Sequence, residues 1–150
     1  MAVAIDTVLV PVDDTQEAER AVEYAVAIAQ RYDASIHILH ILDDSVARAI
    51  QRDEIDADAV AEEHRAFMAA VHELTRDADG DVEASQSSAA GFSAQRLSQH
   101  PVNVVLDAAE EIGADLIVVP REGTSDAPGA MLGKVAQHVL SYASQPVLSV

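Results

Sequence analysis

Thr7-Val8-Leu9-Val10-Pro11-Val12-Asp13-Asp14-Thr15 is the stretch on which the reading of this chain turns. From Val8 to Val12 the side chains are apolar without alternation, the pattern of a short strand buried on both faces in a helix-covered parallel sheet. Pro11 has no N–H, so it demands a backbone position that needs no donor. At Thr15 the period changes. Ala18, Ala21, Val22, Ala25, Val26 and Ala29 recur at helical spacing, with Asp14 and Glu17 as capping and first-turn acids. This predicts an amphipathic helix ending near Arg31.

The strand-then-helix unit repeats along the chain. Ser35 to Leu42 reads as a second buried strand, and the acidic stretch Asp43 to Asp58 as a loop over the sheet's end. A helix is predicted from about Ala59 to Arg76, with Val60, Phe67, Ala70, Val71 and Leu74 as its apolar stripe. After a turn at Asp77 to Asp81, Val82 to Ser88 alternates weakly and is expected to form an edge strand. Ala89 to His100 has no assignment from pattern. Pro101 opens a helix in which Val104, Val105, Ala108, Ala109 and Ile112 share a face, and Gly113 closes it. Asp115 to Val119 is a further buried strand and Pro120 to Leu132 a glycine-bearing loop. Gly133 precedes a last helix bearing Val135, Ala136, Val139 and Leu140, and Pro146 to Val150 is the final strand.

Five strands alternating with helices predict an α/β fold: one doubly wound domain with a mainly parallel sheet, right-handed crossovers and helices on both faces. In such sheets ligands bind at the carboxyl ends of the strands, where strand order reverses. Here that is the neighbourhood of Asp13, Ile41 to Asp43, and the loop after Val119.

Composition narrows the function. The 150 residues suit one domain, and with aromatic residues at only 3% the core must come from Val, Ile, Leu and Ala. The absence of cysteine removes disulfides, thiol nucleophiles and thiolate metal sites. No charged-then-apolar leader follows Met1 and no apolar run reaches spanning length, so a cytoplasmic protein is expected, without a membrane partner. Net charge is −17, and eight of the nine basic residues are arginine, leaving Lys134 as the sole lysine. Such a surface repels nucleic-acid phosphates and suits concentrated salt, the condition inside a halophile. The rival explanation is an acidic face for a basic partner. The acids are spread along the chain rather than collected in one block, which favours the first.

No Gly-x-Ser-x-Gly elbow, His-Glu-x-x-His or true P-loop is present, so hydrolase, metalloprotease and P-loop ATPase readings have no support. His37 and His40 lie three apart on a strand and face opposite ways. His64 and His72 sit eight apart on a helix, without the carboxylates of a zinc site, so no metal centre is expected.

Val8-Leu9-Val10-Pro11-Val12-Asp13 entering a helix, Gly113-Ala114-Asp115-Leu116-Ile117-Val118-Val119, and Gln145-Pro146-Val147-Leu148-Ser149-Val150 resemble the universal stress protein family, an adenine nucleotide alpha hydrolase-like fold. The resemblance covers nearly the whole chain apart from Ala89 to His100. It implies strand order 3-2-1-4-5 and a homodimer formed through the terminal strand, Pro146 to Val150. An ATP-binding subgroup of that family carries a loop G-x2-G-x9-G-[ST], whose amides and helix start capture phosphate. Gly123 and Gly133 match its second and third glycines with nine residues between them, but Pro120 stands at the first and Lys134 at the hydroxyl position.

Pro120 has no N–H to give a ligand. Lys134 either serves phosphate as a point charge at a helix start or is a surface lysine. Arg121 offsets part of the repulsion that Glu122 and Asp126 exert on a triphosphate, and Mg2+ would shift that balance. The resemblance places Asp13 near a bound nucleoside, although an acid there also serves to start a helix. It places the backbone near His40 and Ile41 beside the adenine.

The function implied is a non-catalytic, dimeric stress-response module with weak or lost nucleotide binding, taking ATP or AMP with Mg2+ or no cofactor at all. The alternative is an ATP/AMP-binding switch or slow ATPase using Gly123, Gly133, Lys134 and Arg121 with Asp13. A third reading is an enzyme using the same crevice for another phosphorylated or adenylated ligand.

Overall fold

The computed structural model describes residues 3–12, 16–42, 49–77, 82–90, 101–120, 139 and 142–150. Five strands form one sheet: β1 (Thr7–Val12), β2 (Ser35–Leu42), β3 (Ala84–Ala90), β4 (Leu116–Val119) and β5 (Val147–Ser149). Their spatial order is β3-β2-β1-β4-β5 and every pairing is parallel, so the expected 3-2-1-4-5 sheet is present and is wholly rather than mainly parallel. Three helices are described through most of their length: α1 (Gln16–Tyr32), α2 (Ala57–Asp77) and α3 (Pro101–Ile112). Val139 and Tyr142 are helical and lie between β4 and β5.

A central parallel strand has to bury both faces, and β1 does so with Val8, Leu9, Val10 and Val12. On one face Val8, Val10, Val12, Ile36, Ile38 and Val118 meet α1 and α2. The residues α1 offers are mostly small: Ala18, Ala21, Ala25 and Ala29 are fully buried, so helix and sheet approach closely. From α2 come Phe67, Met68 and Val71. Met68 lies outside the stripe expected from spacing, because an unbranched thioether reaches round the helix flank to fill the gap. On the other face Leu9, Leu39, Ile41, Ile117 and Val119 meet Val105 and Ala109 of α3, together with Val139.

Polar groups fasten the ends of these elements. Asp33 after α1 and Gly113 after α3 both take left-handed backbone, φ 56° and 66°, while the next amide in each case, Ala34 or Ala114, donates to Ala29 O or Ala109 O at 2.9 Å. The acidic segment before α2 differs from the loop expected. Residues 49–51 are helical, and α2 begins at Ala57 with Asp56 Oδ1 accepting the Asp58 amide at 3.0 Å as its cap. β3 is an edge strand as expected, running to Ala90, so Ala89 and Ala90 of the unassigned stretch belong to it.

At the amino end of the sheet, Asp115 Oδ2 accepts the Asp6 and Thr7 amides at 2.9 and 3.1 Å, and the Asp115 amide donates to Thr7 O at 2.9 Å. One side chain thus sets the register of β4 on β1 across a long sequence separation. Removing an acceptor from two amides, one of them part-buried, costs about 1–3 kcal/mol. Asp115→Ala is therefore expected to lower unfolding free energy by about that much in urea titrations, and Asp115→Asn, which keeps one acceptor oxygen, by less.

Candidate functional site

β1 joins β2 through six register pairs, Thr7↔Ser35 to Val12↔His40, but joins β4 through only two, Val8↔Leu116 and Leu9↔Ile117. The reason lies in Pro11. Thr7 turns its carbonyl to the Asp115 amide on the β4 side, and by strand alternation Leu9 and Pro11 turn their backbone nitrogens the same way. Pro11 has no hydrogen there, so the ladder stops after Leu9 and Ile117, and the two strands are free to part toward their carboxyl ends. This is the point where strand order reverses, the place a doubly wound sheet offers a ligand.

Ile41 stands near the carboxyl end of β2, next to this point. Its side chain is 8% exposed, among Leu39, Val105 and Val119 in the second core cluster. The Ile36 amide donates to Glu83 O on the β3 side, so by alternation Ile41 turns its amide and carbonyl to the β1 side. It sits one position past the last β1–β2 register pair, so its carbonyl points past the end of β1. Pro120 directly follows β4 and is buried. Asp13, Arg121, Gly123, Gly133 and Lys134 lie outside the described residues, as does most of the last helix expected from the sequence.

Two histidine arrangements carry no signal in the sequence. His40 is 7% exposed and stacks on His64 of α2, ring centroids 3.9 Å apart at 26°. It shares a face of β2 with Ile36 and Ile38 and pairs in register with Val12, which puts the stack beside the carboxyl edge on the α1/α2 side. The lone pairs of stacked imidazoles lie in nearly parallel planes, so the two rings do not converge on one ion. Among the described residues no group of three or more His, Asp or Glu side chains comes together in a way that would hold a metal. On the opposite face of β2, His37 lies between two serines of β3, Nδ1 2.7 Å from Ser85 Oγ and Nε2 2.8 Å from Ser87 Oγ.

A five-stranded parallel sheet in this order, with strand order reversing between β1 and β4, defines the class: a doubly wound α/β domain, a fold that takes ligands at its carboxyl edge. The match is closer than fold class. Residues 4–150 fit the model of the universal stress protein family, and the chain belongs to that family. It is 24% identical over 146 residues to Universal stress protein MJ0531 of Methanocaldococcus jannaschii, covering 95% of this chain and 80% of the relative. It is 28% identical to Universal stress protein YxiE of Bacillus subtilis, covering 95% and 96%.

Solved structures share the fold. Universal stress protein UspA from Lactobacillus plantarum superposes with TM-score 0.70 at 24% identity, covering 99% of both chains. A universal stress protein in complex with cAMP gives 0.66 at 24% identity, covering 98% of this chain and 97% of that one. The universal stress protein from Archaeoglobus fulgidus in complex with dAMP gives 0.59 at 18%, covering 99% and 98%.

Burial pushes the His37 imidazole below its ordinary 6.5. Between that lowered value and 6.5 the unfolded chain binds more protons than the folded one, so this histidine's contribution to stability is full above pH 6.5 and is lost as pH falls toward the folded value. Unfolding titrations across pH 5 to 8, at about half-unit steps, are expected to show a steeper acid loss in the wild type than in His37→Gln. Parallel pH profiles would remove His37 as a contributor.

Proposed function

We propose that this chain is a non-catalytic stress-response module that acts as a homodimer and binds adenine nucleotide weakly, with a preference for few phosphates. The observation that carries this reading is the buried Pro120 at the end of β4, where the phosphate loop of the ATP-binding subgroup begins with glycine. A residue without an N–H, with φ fixed, gives a phosphate chain neither a donor nor a flexible approach. The nucleoside end departs less from the family's pattern, since Asp13 stands at its expected place. The early end of the β1–β4 ladder supports a slot there and the Ile41 carbonyl an acceptor, and Asp13 follows Val12 directly.

The relatives seen with cAMP and dAMP hold ligands with a single phosphate, which suits a site of this kind. Lys134 and Arg121 are the residues left to meet that phosphate, with Gly123 and Gly133 keeping backbone access to it.

The dimer is supported by β5. It pairs only with β4 among the described strands, it is three residues long, and Leu148 on it is 36% exposed. A short apolar edge invites a second copy. The acidic, lysine-poor composition supports a cytoplasm of concentrated salt as the working medium.

Thermal-shift titrations in molar potassium chloride test the nucleotide reading, since a ligand of the folded state stabilises by RT ln(1 + [L]/Kd). AMP is expected to raise Tm saturably, ATP with Mg2+ to raise it no further, and Lys134→Ala to weaken both. ATP binding tighter than AMP would overturn the preference, and no shift with either at millimolar concentration would remove nucleotide binding. Sedimentation of the same samples is expected to give a dimer that Leu148→Arg converts to monomer.

A further inference from the structure

Where β2 and β3 run side by side, the face turned away from α1 and α2 carries a second polar arrangement, apart from the opening between β1 and β4. His37 is in register with Ser85, and Leu39, the next residue of β2 on that face, with Ser87. The imidazole is half-buried between the two serines, and both serines are exposed. Each ring nitrogen has one hydroxyl at hydrogen-bonding distance, 2.7 Å for Nδ1 to Ser85 and 2.8 Å for Nε2 to Ser87. A neutral imidazole has one N–H and one lone pair, so one serine must accept from the ring while the other donates its O–H to it. The donating serine is a hydroxyl held against a base. The accepting serine fixes the tautomer, which is the part the third group plays in a nucleophile, base and orienter arrangement.

We propose that Ser85, Ser87 and His37 form an acyl-accepting site, in which one serine hydroxyl takes the acyl group of an activated thioester or aryl ester with His37 as the base. The serine oxygen attacks the acyl carbon while the imidazole takes the hydroxyl proton. The bond from that carbon to the thiolate or phenolate breaks, and the leaving group departs with the proton from the imidazole. An O-acylserine and a free thiol or phenol result, with no change of oxidation state. Burial holds His37 below its ordinary 6.5, so the ring is an unprotonated base at neutral pH. The exposure of both serines lets the donor arrive from solvent, and the expected product is a stoichiometric acyl-protein.

The test uses the full chain and p-nitrophenyl acetate at neutral pH, read by intact mass and by mapping of the acetylated peptide. One acetyl group is expected on residues 84–90, arriving at least about tenfold faster than in His37→Gln or in the Ser85→Ala/Ser87→Ala double variant, a modest share of what a positioned base supplies. Gln keeps hydrogen bonds to both serines without being a base, and melting curves confirm that each variant folds. The wild-type rate is expected to hold as pH falls through 6.5 and to drop only as His37 protonates. Acetyl groups scattered over other nucleophiles, or equal labelling of wild type and His37→Gln, would overturn the proposal and leave the three side chains as a clasp between β2 and the edge strand.

Discussion

Pro11 is the constraint on which the functional end of this molecule depends. Every other buried residue of β1 strengthens the sheet, but Pro11 ends one of its ladders by lacking a single hydrogen atom. The loss falls on the side facing β4, since the β2 side of the same strand keeps its full register to Val12↔His40. An opening between β1 and β4 at the carboxyl end is thereby compatible with a rigid strand on its other flank. A donor-bearing residue at this position would favour extending the ladder of β4 further along β1.

The opposite end of the sheet is built in the reverse sense. Asp115 takes two amides of the chain entering β1, and the left-handed residues Asp33 and Gly113 turn α1 and α3 sharply into β2 and β4. The β1–β4 pair is thus clamped at its amino end and unladdered toward its carboxyl end. The alanines of α1 contribute to this rigidity, because small buried side chains leave few rotamers to rearrange.

Much of this is legible in the sequence alone. β1 and β2 run over the residues that their apolar runs mark, the second interrupted by His37 and His40, and α1 follows its alanine period, because a strand buried on both faces and a helix of one narrow face leave strong patterns. β3 was harder: Ala84–Ala90 is small and polar, with no apolar alternation to mark its far end, so its last residues were indistinct from the stretch that follows. The cap of α2 lies among so many acids that Asp56 has no distinctive signal. At the candidate site, Ile41 is indicated by its place at a strand end and by resemblance but not by its side chain, since backbone recognition leaves no side-chain trace. The contacts of His37 and His40 were illegible for a different reason. Their partners, Ser85, Ser87 and His64, are brought together by the crossing of elements far apart in sequence, and no spacing rule reaches across that distance.

Charge and loop chemistry act on a nucleotide at different ranges, which bears on how its phosphates are counted. A chain of −17 opposes every added phosphate through a long-range field, but at molar salt the screening length shrinks to about 3 Å and that field no longer distinguishes AMP from ATP. What remains under the proposed reading is contact chemistry, in which Pro120 lacks a donor and Lys134 carries a charge in place of a hydroxyl. The selectivity proposed against the triphosphate would combine field and contact in dilute salt and rest on contact alone in concentrated salt. A preference for AMP that survives molar salt has its origin in the loop, and one that disappears there has its origin in the acidic surface.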